Sequence, residues 1–164
     1  MRRVQKLGRM AVAVSAVAIS ALALAQAGGV AKNEAEAKTA IEARQQVFKD
    51  IKKANEPLQD MLKNKREIDA AVIKANTAEL QKLATKIPPA FAVDTRAFKE
   101  TKTRAQDGIW SSQADFAAKA DAFGKAVANL TAVADSGDKV AIKKAVADMG
   151  KSCGACHDNY QVKL

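Results

Sequence analysis

From Asn33 onward the apolar residues of this chain recur at steps of three, four and seven, the spacing of one face of an α-helix. In a first segment Ile41, Phe48, Ile51, Leu58 and Leu62 carry the stripe. Asn33 opens it as an N-cap, with Glu36 three residues on, close to a capping box. Pro57 interrupts the pattern and predicts a kink or a split near Glu56. A second segment, from about Ile68 to Lys86, places Val72, Ile73, Leu80, Leu83 and Ile87 on one face, and Pro88-Pro89 ends it. From Pro88 to Trp110 no period is sustained over a stretch long for a loop between packed helices, which predicts either a functional crossover or a mobile segment. A third segment opens at Ser111 or Ser112, with Asp115 in its first turn. Phe116, Ala120, Phe123, Val127, Leu130 and Ala134 follow in steps of four and three. Ser136-Gly137 stops it, the glycine suiting a left-handed C′ position. In the fourth segment Ile142, Val146, Met149, Cys153, Cys156 and Tyr160 alternate steps of four and three. Strand signals are absent. The pattern predicts an all-α fold, an antiparallel four-helix bundle with two tight connections and one longer crossover.

Ahead of these segments lies a different composition. Arg2, Arg3, Lys6 and Arg9 precede an Ala/Val/Ile/Leu-rich run from Met10 to Leu24, and Ala25-Gln26-Ala27 offers a small-x-small cleavage site. This is the layout of a secretory signal peptide over residues 1–27, which predicts export to the periplasm and a mature domain of residues 28–164. The run is short for a span of about 20 residues and has no basic stop after it, so no stable membrane span is expected after cleavage. Cleavage removes four of the 27 basic residues and none of the 18 acidic ones, leaving a net charge of +5. Few aromatic residues and interspersed charge signs argue against a nucleic-acid surface. A mixed, solvated exterior accounts for them, and a basic rim for docking an acidic redox partner remains open.

The candidate chemistry is confined to Cys153-Gly154-Ala155-Cys156-His157, which holds both cysteines and the one histidine of the chain. This is the attachment pattern of a c-type haem. Two thiols add across the two vinyl groups on one porphyrin edge, and the adjacent imidazole reaches the iron from one face. On a helix, residues at i, i+3 and i+4 share a side. Three other readings compete. A thioredoxin-type CxxC sits after a strand at a helix start, whereas this pair lies near a helix end. A structural zinc site needs four ligands, and the nearby Asp158 points elsewhere on a helix. A disulfide between residues three apart strains helical geometry. Haem attachment also agrees with export and puts the cofactor on the core stripe of the last helix, inside the bundle.

With its motif C-terminal, on the fourth helix of a bundle, the chain resembles the cytochrome c′ family of class II c-type cytochromes. Further matches are Arg44-Gln45, the segment from Asp69 to Asn76, Ile109-Trp110-Ser111, Ala132 to Asp138 and His157 to Tyr160. The resemblance implies one haem c held covalently by Cys153 and Cys156, with His157 as the proximal iron ligand. It places Arg44 and Gln45 at the haem edge, with Arg44 meeting a propionate. It implies small redox proteins, or NO and CO, as partners, and a possible homodimer through the first two helices. Low-spin members put a ligating methionine four residues after the first-helix arginine, and here that residue is Phe48, which cannot ligate. Met149 and Met61 read as core. A five-coordinate, high-spin iron with Phe48 on its distal face follows as the expectation, and a six-coordinate His/Met electron carrier using Met61 is the alternative. No distal acid/base is evident, so the chain does not read as an enzyme such as a peroxidase. Gln161 replaces the basic residue that many members carry four positions after the histidine, and the loop to Trp110 is longer than usual.

Overall fold

The computed structural model describes residues 28–163. The leader expected over residues 1–27 lies outside the described residues. Four long helices form the body: α1 (Glu34–Leu62), α2 (Ala70–Ala84), α5 (Gln113–Val133) and α6 (Lys139–Tyr160). Two single-turn helices, α3 (Ile87–Ala90) and α4 (Gly108–Ser111), flank the crossover, and a 3₁₀ turn, Ala134–Ser136, precedes α6. Among the described residues no helix is long and apolar enough to cross a membrane.

The caps explain the boundaries. Asn33 accepts from Glu36 N, Asp69 from Ala71 N and Val72 N, and Asp138 from Val140 N and Ala141 N. Each satisfies backbone donors that the first helical turn leaves unpaired. Gly137, at φ 68°, makes the left-handed turn between α5 and α6, where a side chain would be strained.

Three local expectations change. Pro57 does not split its helix, and α1 runs through it for 29 residues. Packing of Ala54, Leu58 and Met61 into the core holds the axis together on both sides of the missing N–H. Pro88-Pro89 does more than stop α2: the prolines sit at the first positions of α3, where their fixed φ favours a helical turn. A strand pair also exists where none was expected. Gly29–Val30 (β1) lies parallel to Val93–Asp94 (β2), and Ala31 N donates to Asp94 O at 2.8 Å. Two residues on each side are too few to leave a periodic signal.

The core runs the length of the bundle. Leu58 and Met61 of α1, Ile73 and Leu80 of α2, Val127 and Leu130 of α5, and Ile142, Val146 and Met149 of α6 are all at most 1% exposed. The α1 stripe departs from its expected form in the middle. Ile41 and Leu58 are fully buried, Ile51 is half-buried, and Phe48 is 37% exposed. Over the same stretch Arg44 is buried at 3% exposure.

Candidate functional site

The gap in the α1 stripe faces a gap in the α6 stripe. Met149 and Tyr160 are buried, but Cys153 and Cys156 between them are half-buried and His157 is exposed. The space between the two helices is a cavity of about 500 Å³ lined by Ile41, Arg44, Gln45 and Phe48 of α1 and by Cys156, His157 and Tyr160 of α6. Phe91 and Thr103-Arg104-Ala105 of the crossover complete its wall. A second lobe of about 310 Å³ shares Phe48, Lys52, Cys156, His157 and Gln161 with the first, and adds Cys153, Ile51, Ile87 and Phe123. The cofactor space is therefore a cleft between α1 and α6.

The three motif residues arrive there because α6 is continuous through them. Cys153 Sγ rests 3.5 Å from Met149 O, and both cysteines are free. Burial raises both thiols above their ordinary value. A redox-active CxxC needs the opposite, a stabilised thiolate. Among the described residues no group of three His, Cys, Asp or Glu side chains converges enough to hold a metal ion. Surrounding protein, and after it the charge of Arg104, hold His157 below its ordinary value. Both effects favour the neutral imidazole, the form that binds a metal.

Those features fit a c-type haem: two thiols at i and i+3, a neutral imidazole at i+4, and an apolar wall with room beside them. Phe48 supports the same reading, because a large apolar ring at 37% exposure on an otherwise buried stripe lacks a covering surface. Its neighbours are aromatic, with Phe91 at 6.1 Å between ring centroids, Phe116 4.8 Å from Phe91, and Tyr160 5.3 Å from Phe116. Tyr160 Oη donates to Asp115 Oδ2 at 2.5 Å, tying α6 to the start of α5 beside the cavity. That bond raises the phenol to about 12.

Arg44 and Gln45 both reach the site, but with partners the sequence did not suggest. Arg44 donates from Nε to Ala90 O at 2.9 Å, from Nη1 to Thr95 Oγ1 at 2.9 Å, and from Nη2 to Val93 O. Its guanidinium lies 5.1 Å from the ring centres of both Phe91 and Trp110. Burial pulls it down to about 10, so it stays charged at neutral pH. Gln45 Nε2 donates to Lys102 O at 3.1 Å. Neither methionine of the described residues lines either lobe: Met61 and Met149 are each 1% exposed within the core.

Sequence reasoning missed the crossover wall, Phe91 and Thr103-Arg104-Ala105, and the Asp115 partner of Tyr160. Those crossover residues lie in a stretch without period, and the partner is 45 residues away. Only the length of the stretch from Pro88 to Trp110 hinted that this segment was more than a linker.

A sequence model of the cytochrome c′ family matches residues 39–161. Cytochrome c′ from Cereibacter sphaeroides is 37% identical over 131 residues, covering 79% of this chain and 87% of the relative. The solved cytochrome c′ of Shewanella frigidimarina superposes with a TM-score of 0.69 at 35% identity, covering 80% of this chain and all of that one. A ferrous variant of Alcaligenes xylosoxidans cytochrome c′, solved with bound NO, superposes at 0.68 with 33% identity, covering 78% of this chain and 97% of that one. These likenesses span the bundle, the cleft and the C-terminal motif together, and the chain belongs to the cytochrome c′ family, whose cofactor is a covalently attached c-type haem.

Proposed function

We propose that this chain is an exported, periplasmic haem protein with a five-coordinate iron, which binds small neutral diatomics such as NO and CO and exchanges electrons with small redox proteins. It is a binding and electron-transfer protein rather than an enzyme. In this reading residues 1–27 are a cleaved leader and residues 28–164 the mature domain. Cys153 and Cys156 hold the cofactor covalently, His157 is the proximal ligand, and Gln45 and Phe48 border it. Bound there, the haem supplies an iron that takes one electron or one diatomic ligand.

The chain's own residues set what that iron meets. One observation carries the five-coordinate reading: no methionine and no second histidine lines either lobe of the cleft, whereas Phe48 lines both. A phenyl ring offers no lone pair, excludes water from the face it covers, and gives a bound ligand no hydrogen bond. Such a face favours NO and CO over anions and over O₂, whose bound form needs a polar donor. Met61, the alternative ligand, is buried between α1 and the core and would have to leave it to reach the cleft.

The test is the ferric and ferrous absorption and resonance Raman spectrum of purified holoprotein. High-spin, five-coordinate signatures in both states are expected. A low-spin ferrous spectrum with a methionine–iron charge-transfer band in the ferric form would refute the reading. Pairing of two copies through α1 and α2 is part of the same proposal, and multi-angle light scattering reads it directly.

A further inference from the structure

The cleft has a charged mouth whose cations make no ion pair among the described residues, while the arginine expected to serve the cofactor is already fully engaged. Arg44 is 3% exposed and spends Nε, Nη1 and Nη2 on Ala90, Thr95 and Val93. Phe91 and Trp110 lie 5.1 Å from it on either hand. To turn toward a carboxylate in the cleft it would have to abandon two main-chain carbonyls. Main-chain acceptors left unpaired in a partly buried site carry a desolvation cost. The crossover would lose its hold on α1 as well.

Arg104 is placed differently. It lies on the cleft wall, exposed, with Nε and Nη2 both donating to Val162 O at 3.0 and 2.9 Å. That anchor fixes the plane of the guanidinium and leaves Nη1 without a protein acceptor among the described residues. Val162 N donates back to Arg104 O at 2.8 Å, so both chain segments are held together at this point. Across the mouth Lys49 and Lys52 of α1 line the same cleft, and neither makes an ion pair among the described residues. No carboxylate lines either lobe.

We propose that the counter-charge for the cofactor's two carboxylates is Arg104 with Lys49 and Lys52 at the cleft mouth, and that Arg44 is a positioning residue which fixes the crossover so that Arg104 is presented. The assignment rests on the reading of this cleft as a haem c site. It follows from charge and geometry. A porphyrin carrying its apolar edge and vinyl-derived bonds toward Cys153 and Cys156 has its carboxylates at the opposite edge, where solvent and free cations are. A fixed guanidinium meets a carboxylate with directed N–H groups, and lysine adds an adaptable point charge.

The experiment compares Arg104→Gln, Arg44→Lys and the unchanged holoprotein. Mass and pyridine haemochrome spectra come first: absence of a covalent haem in unchanged protein refutes the haem reading itself, separately from this assignment. With haem attached, the propionate bending modes in resonance Raman report hydrogen bonding to the carboxylates, and the midpoint potential reports nearby charge. Arg104→Gln is expected to move the propionate mode and lower the potential, because a positive charge near the iron disfavours the ferric form. Arg44→Lys keeps its charge and is expected to shift the propionate mode less than Arg104→Gln does, only through the loosened crossover, while lowering the melting temperature and exposing residues 91–107 to proteolysis. A propionate mode that moves in Arg44→Lys and stays fixed in Arg104→Gln overturns the assignment.

Discussion

The bond between Tyr160 and Asp115 allows a stability argument with a defined pH window. Tyr160 is 8% exposed, its ring packs against Phe116, and its hydroxyl reaches Asp115 Oδ2 at 2.5 Å. Replacing it by phenylalanine keeps the ring and deletes only the donor. A hydrogen bond to a charged group contributes about 1.5–3 kcal/mol. Here the acceptor is an exposed carboxylate that also faces Lys119 at 3.8 Å, so it is not orphaned by the change, and solvent screening reduces the figure. A loss of about 1 kcal/mol is expected, equivalent to about 3–4 °C in melting temperature for a domain of this size. The phenol is raised from its ordinary value to about 12, first by this bond and then by burial. A group raised in the folded state contributes stability fully below its unfolded value, near pH 10, and loses it as pH climbs toward 12. Thermal unfolding of the holoprotein, followed by circular dichroism from pH 7 to 11.5, checks this. The gap between unchanged protein and Tyr160→Phe should be constant up to about pH 9 and close above pH 10. A gap of the same size at pH 11 as at pH 8, or no gap at pH 8, would refute the reasoning.

Two further outcomes test other parts of the molecule. Phe48→Ala should speed CO association to ferrous protein in flash photolysis, because the ring lines both lobes of the cleft; an unchanged rate removes Phe48 from the ligand's path. Asn33→Ala should lower stability by about 1 kcal/mol, since the cap bond to Glu36 N at 2.9 Å is lost; denaturant midpoints measure it, and an unchanged midpoint would mean that the first turn is held by the strand pair instead.

What the sequence could reveal divides by the range of the interaction. Asn33, Asp69 and Asp138 signal their helices because a cap is completed within three residues. Gly137 signals the α5–α6 turn because its φ is a property of one residue. Cys153, Cys156 and His157 are legible because the chemistry itself fixes their spacing. Arg44 was legible as important but not as to its partners, which lie 46 to 51 residues away. Ser112 was legible as a boundary. It stands at the N-cap of α5, where the helix was expected to open, although its side chain makes no capping bond.

The crossover is the largest part that periodicity could not reach, and the reason is physical. Residues 91–107 have almost no core of their own, so nothing in their order of apolar and polar residues encodes a shape. Their shape comes from outside: Arg44 and Gln45 grip two points along them, Gly29–Ala31 pairs with Val93 and Asp94, and Gln106 N bonds to Tyr160 O at 3.0 Å. Three distant parts of the chain thus hold one wall of the cleft. The same logic explains Phe48. A stripe that is buried at Ile41 and Leu58 but open at Phe48 faces another that is buried at Met149 and Tyr160 but only half-covered at Cys153 and Cys156. Both helices lose burial at the same height, beside the residues that attach the cofactor. Two defects in core periodicity that coincide in space read as the imprint of a group that is not made of amino acids.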